Sequence, residues 1–72
     1  MDKRELIKFF SEYWNIDPAK VTDDLELNDE SLEGQTSIRL YQFFSEIESK
    51  FGVRVENITD IKTFGDLANN IS

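Results

Sequence analysis

Gly34, Thr36 and Ser37 open the stretch "GQTSIRLYQFFSEIESKFGV", in which two adjacent hydroxyl side chains stand immediately before a long apolar run. A serine hydroxyl acts as a nucleophile when a neighbouring base takes its proton, and serves as an attachment point when another protein supplies that base. The chain contains no His and no Cys. That removes the Ser-His-Asp and Cys-His arrangements, the usual zinc sites, disulfides and His-based acid–base catalysis. The bland role for this pair is capping, because either Thr36 or Ser37 can accept a hydrogen bond from the free N–H groups of a first helical turn.

The other concentration of reactive groups is "VTDDLELNDESLEGQT", residues 21–36, with six acids and no base. Dense carboxylates raise the question of calcium. An EF-hand loop needs Gly at its sixth position and Glu at its twelfth, whereas a frame starting at Asp24 places Asp29 and Gln35 there. The segment is expected to be a solvated acidic loop, pinned to the core by Val21, Leu25, Leu27 and Leu32. Loops of this length within small domains are often functional. No pair of carboxylates stands out as an acid–base site, so a small enzyme is the weakest of the function classes.

Three helices must position these groups. Leu6, Phe10 and Tyr13 recur at helical spacing, with Ile7, Phe9 and Trp14 on the same broad side, which predicts a first helix over about 3–15 that ends near Pro18. After the loop of residues 16–36, a second helix is expected over about 37–51, stopped by Gly52. At about 100° per residue, Leu40, Phe44, Ile47 and Phe51 fall within roughly 60° of one another, with Phe43 beside them, and form its core stripe. On the opposite side Ile38, Gln42, Ser45 and Ser49 make an almost uncharged stripe bordered by Arg39, Glu46 and Lys50. Val53 and Val55 alternate with Arg54 and Glu56 as in a strand, but a lone strand lacks a backbone partner. An extended loop and a short helical turn at about 56–60 are predicted instead. Thr63 and Asp66 resemble a capping pair opening a last helix over about 64–71, with Phe64, Leu67, Ala68 and Ile71 inward. The predicted fold is all-α: one domain, residues 1–72, a small antiparallel bundle of three main helices plus a short accessory helix.

Composition narrows the partners. Seventy-two residues bury only about 60% of the unfolded surface, so the core must be aromatic-rich, and six Phe, two Tyr and one Trp supply it. Fifteen acids against eight bases leave a formal charge of −7, which repels nucleic acid and anionic lipid and attracts basic protein surfaces. "MDKRELIKFF" lacks the apolar region of a signal peptide, and no segment approaches a membrane span. A freestanding, monomeric, cytoplasmic protein is the expectation.

Across its central helix, "GQTSIRLYQFFSEIESKFGV" resembles the acyl carrier and peptidyl carrier protein family, whose Gly-x-Asp-Ser-Leu motif opens the second helix. Gly34, Ser37 and Ile38 match that motif, Ile38 standing in for Leu, while Thr36 stands where the family usually has Asp. "NIDPAKVTDDLEL" resembles the family's loop after its first helix and "FGVRVENITDIKTFGDLANNI" its ending, and Phe51 lies fourteen positions after Ser37 as in carriers. Ser31, within "DESLEG", superficially copies the motif but would leave Gly34 inside the helix. The loop before Ser37 is a residue or two longer than in fatty-acid carriers.

The resemblance implies that Ser37 carries 4′-phosphopantetheine, transferred from coenzyme A by a phosphopantetheinyl transferase. The thiol of that arm would hold an acyl or aminoacyl thioester for loading and acyl-transferring enzymes. The carrier would itself be a substrate and not an enzyme. Thr36, Ile38, Arg39, Gln42, Ser45 and Ser49 are then the expected partner-binding residues. A second helix less acidic than in fatty-acid carriers implies partners in a specialised pathway. The rival class is a non-modified helical interaction module, in which Thr36 and Ser37 only cap the helix.

Overall fold

Asp2 starts the first helix, because its carboxylate accepts a hydrogen bond from the Arg4 amide at 2.9 Å and so satisfies a donor that has no intrahelical acceptor. The computed structural model, which describes residues 2–28 and 30–71, runs this helix, α1, over Lys3–Trp14. Asn15 closes it in the left-handed conformation, its amide donating to the Ser11 carbonyl. Leu6, Phe10 and Trp14 form the buried row of α1, while Ile7, Phe9 and Tyr13 are partly buried against the same core. Trp14 thus continues the row where the sequence pattern places Tyr13, as expected for positions four apart.

Helix α2 spans Ser37–Phe51 and ends at Gly52, whose φ of 65° is the left-handed geometry that glycine adopts without strain. Phe43, Phe44 and Ile47 are its buried residues, with Leu40 and Phe51 half-buried at the edges of the stripe. Helix α3 spans Phe64–Ile71. Its start is reciprocal: the Thr63 hydroxyl accepts from the Asp66 amide, and the Asp66 carboxylate accepts from the amides of Lys62 and Thr63, each at 3.1 Å. Among the described residues the fold is all-α, with three α-helices and no strand.

Aromatic rings join the helices. Phe10 of α1 meets Phe43 of α2 edge-on at 5.4 Å and Phe64 of α3 at 5.2 Å. Phe43 is also 4.8 Å from Tyr13 and 5.7 Å from Trp14. Such tilted and edge-to-face pairs are the favoured arrangement of aromatic quadrupoles. They let a chain this short fill its interior with few, large side chains.

The segment between α1 and α2 is less featureless than its composition suggests. Pro18–Lys20 form a 3₁₀ turn, started by the Asp17 carboxylate on the Ala19 amide. Val21, Leu27 and Leu32 are buried and Leu25 half-buried. The loop's backbone is docked along the start of α3: Leu27 donates to Lys62 at 2.9 Å, Phe64 to Leu25 at 2.9 Å and Gly65 to Asp23 at 2.9 Å. Glu26 and Thr63 form an isolated antiparallel bridge there. Gly65 permits the approach, since a Cβ on it would sit 2.7 Å from the Asp23 carbonyl oxygen.

The extended piece after α2 has its backbone satisfied by side chains in place of a strand. Glu48 of α2 accepts from the Val55 amide at 2.8 Å, and Asn70 of α3 brackets Glu56, accepting from its amide and donating to its carbonyl. A second 3₁₀ turn, Ile58–Asp60, leads into α3. The long loop is thus held on the start of α3 and the piece after α2 on both α2 and α3, while the N-terminal residues of α2 are exposed.

Candidate functional site

Ser37 is the first residue of α2, and Thr36 is its cap. Thr36 has extended backbone, and its hydroxyl accepts from the Arg39 amide at 3.1 Å while its carbonyl accepts from Leu40. Of the two hydroxyls, then, it is Thr36 that does the capping. Among the described residues the Ser37 hydroxyl has no hydrogen-bond partner, and the residue is exposed. The amides of Ser37 and Ile38 have no acceptor within the helix, so the exposed hydroxyl stands beside two free donors and the positive end of the helix dipole.

Ser31 lies elsewhere. It sits half-buried in the turn before Gly34, with its amide held by the Asn28 side chain at 2.9 Å. Gly34 has a φ of 78°, a backbone conformation that glycine adopts freely and other residues seldom reach. A Cβ there would also lie 2.9 Å from the Arg39 guanidinium. Gly34 therefore turns the loop into α2 and makes room for Arg39.

Ile38, Gln42, Ser45 and Ser49 are all exposed, as their spacing predicts. Ile38, Gln42 and Ser45 line an open groove of about 650 Å³ together with Tyr41 and Glu46. Ile38 is 73% exposed and Tyr41 49%, the two large apolar side chains left on the surface among the described residues. Ser49 lies one turn beyond and is not part of the groove's lining. Tyr41 is the site residue that sequence reasoning missed. Its signal was its position, one turn after Ser37 and outside the arc of the core stripe.

Arg39 is separated from that face. Its guanidinium carbon lies 5.0 Å from the ring centroid of Trp14 and 5.6 Å from that of Tyr13, and it donates to the Tyr13 carbonyl at 3.4 Å. Stacking on aromatic faces holds a guanidinium without requiring it to shed its water fully. On the same side, burial raises the Tyr13 pKa above its usual 10.0, with the Glu46 carboxylate near the phenol acting in the same direction and Arg39 opposing. Lys50, at the far end of α2, covers Phe9 in a similar way at 5.3 Å.

Among the described residues no basic side chain lies against Ser37, and the chain has no His. Among the described residues no group of three or more acids converges as a metal site, and no helix is long and apolar enough to cross a membrane. Asp29, which occupies the glycine position of the calcium frame, lies outside the described residues. What the site offers is one accessible hydroxyl at a helix start, beside an exposed neutral and apolar helix face. No model of a known protein family matches the chain, and no curated protein matches it.

Proposed function

We propose that this chain is a carrier protein, modified on Ser37 with 4′-phosphopantetheine and presenting an acyl or aminoacyl thioester to partner enzymes. The observation that carries the proposal is the division of labour at the start of α2: Thr36 takes the capping role and leaves the exposed Ser37 hydroxyl unengaged. In the transfer, the Ser37 oxygen attacks the phosphorus of coenzyme A that bears the pantetheine. The P–O bond to the nucleotide half breaks, and the proton passes to a base of the transferase. The resulting phosphodiester would meet the free amides of Ser37 and Ile38, where an anion is favoured. Because Thr36 caps without a charge, no carboxylate at the cap opposes it.

The terminal thiol of the arm supplies the thioester chemistry that a chain without Cys lacks. Partners would bind the face of Ile38, Tyr41, Gln42 and Ser45, while the −7 charge guides basic surfaces toward it. The neutral character of that face favours specialised partners over the enzymes of general fatty-acid synthesis. The alternative, a non-modified interaction module, draws on the same exposed Ile38 and Tyr41.

Intact mass spectrometry separates the two. Incubation with coenzyme A and a broad-specificity phosphopantetheinyl transferase is expected to add one phosphopantetheine to the wild type and none to Ser37→Ala. Wild type that stays unmodified by several such transferases favours the interaction module. A Ser37→Ala variant that is still modified moves the site elsewhere.

A further inference from the structure

Side chains four residues apart stand in rows along α2, and one of these rows starts at Ser37. Tyr41 and Ser45 continue it, while Ile38, Gln42 and Glu46 form the adjacent row, and all six are exposed. The open groove of about 650 Å³ is lined by the five residues beyond Ser37, so Ser37 stands at its head. A helical side chain covers the turn N-terminal to its own Cα, which sets Tyr41 over the surface beside Ser37. Ile38 and Tyr41, the two large apolar side chains exposed among the described residues, therefore flank the start of the groove. The Gln42 amide and the Ser45 hydroxyl follow one turn on, and Glu46 ends it.

Resting on the carrier reading above, we propose that this groove is the bed of the phosphopantetheine arm: Ile38 and Tyr41 receive its dimethyl-substituted carbon, and Gln42 and Ser45 its amides. The order of chemistry is the same along both. From Ser37 outward the arm runs from phosphate to the carbon with its two methyl groups, then through two amides to the thiol, while the groove runs from apolar side chains to amide and hydroxyl. The lengths agree as well. From Ser37 to Glu46 the helix rises nine positions at about 1.5 Å each, about 14 Å, and a chain of about a dozen bonds extends about 14 Å at backbone dimensions. The volume lies within the range of small-molecule sites. Amides in water exchange one hydrogen-bond partner for another, so the methyl groups against Ile38 and Tyr41 supply the main driving force. Attachment at Ser37 supplies a high effective concentration, and weak contacts then suffice to seat the arm. A partner that covers the same face lifts the arm from it, which couples docking to release of the thiol end.

Proton–nitrogen correlation spectra of the unmodified and the phosphopantetheinylated protein test the placement. The arm is expected to shift the amides of Tyr41, Gln42 and Ser45 as well as those of residues 36–38, and the Tyr41 ring to move the arm's methyl resonances away from their position in free pantetheine. Tyr41→Ala, a change at an exposed residue, should return the methyl resonances to that position and confine the amide shifts to residues 36–38. The proposal is overturned if the wild type already behaves so, the result for an arm that moves freely in water. Groove shifts that appear without the arm and grow with protein concentration assign the face to a second copy of the chain and overturn it equally. Should no transferase modify Ser37, the carrier reading fails, and the bed is tested apart from it. Ser37→Cys supplies the chain's single thiol, whose thiolate displaces bromide from the bromoacetyl ester of S-methylpantetheine and so fixes the arm at the same helix position. The same methyl and amide shifts, present or absent in that adduct, then decide.

Discussion

Thr36 and Arg39 share the first turn of α2: one hydroxyl caps the helix, and the amide it caps belongs to the residue whose guanidinium reaches back to α1. Thr36→Ala is expected to lower stability by about 1 kcal/mol in urea unfolding, the usual cost of deleting a cap. Thr36→Asp keeps the cap and adds the charge that carriers commonly have beside the modified serine. It is expected to speed transfer by a transferase that reads aspartate, measured as the initial rate of mass gain. An unchanged rate would show that this charge is not read. The capping role was legible from residue type alone, since Thr and Ser both qualify, but which of the two fills it was decided by backbone geometry at residue 36. The stacking of Arg39 on Trp14 was not legible. Those residues are 25 apart, and only the crossing of α1 and α2 brings them together.

At the level of elements, the helix ends were written in short-range chemistry. The Thr63–Asp66 pair, Gly52 and the core stripes follow from local rules of capping and periodicity, which is why the spans of α2 and α3 agree with the sequence pattern. The docking of the acidic loop on α3 depends instead on Gly65, whose role is visible only once Asp23 lies against it. Gly65→Ala is expected to destabilise the fold by about 1–3 kcal/mol in urea unfolding and to release the loop, against the small gain usually found for Gly→Ala inside a helix. Hydrogen exchange at the Leu27 and Phe64 amides would report that release, and unchanged protection would refute it.

The helix caps also set the response to acid. Backbone amides hold the Asp2 and Asp66 carboxyls below the usual 3.8, with the Arg4 amide the main cause for Asp2 and those of Lys62 and Thr63 for Asp66. A carboxyl whose pKa is depressed by folding contributes stability above its unfolded pKa and loses it as pH falls through the folded value. Helical circular dichroism and thermal midpoint should therefore hold between roughly pH 7 and 5 and decline below about pH 4. Asp66→Asn should flatten that acid decline, and an identical profile would remove Asp66 from its causes.

Over the whole molecule, seven excess negative charges lie on a body of 28 × 24 × 19 Å, so self-repulsion is a general destabilising field. Screening by about 0.3 M sodium chloride should raise the thermal midpoint by a few degrees, because the two surface ion pairs that salt weakens, Lys3–Asp23 and Arg4–Asp2, are too exposed to contribute much. A midpoint that falls with salt would mean that attractive pairs dominate. By itself, the sequence determined the all-α class, the spans of α2 and α3, the burial of Phe10, Phe43, Phe44 and Phe64 and the position of Ser37 at a helix start, because periodicity and capping act within one or two turns; Tyr41, expected in the core with the other aromatics, is exposed instead. Only the tertiary structure decided that the acidic loop is strapped to α3 and that Arg39 closes over Trp14. Each of these joins segments distant in sequence, and their packing depends on how the helices cross, which no local pattern specifies.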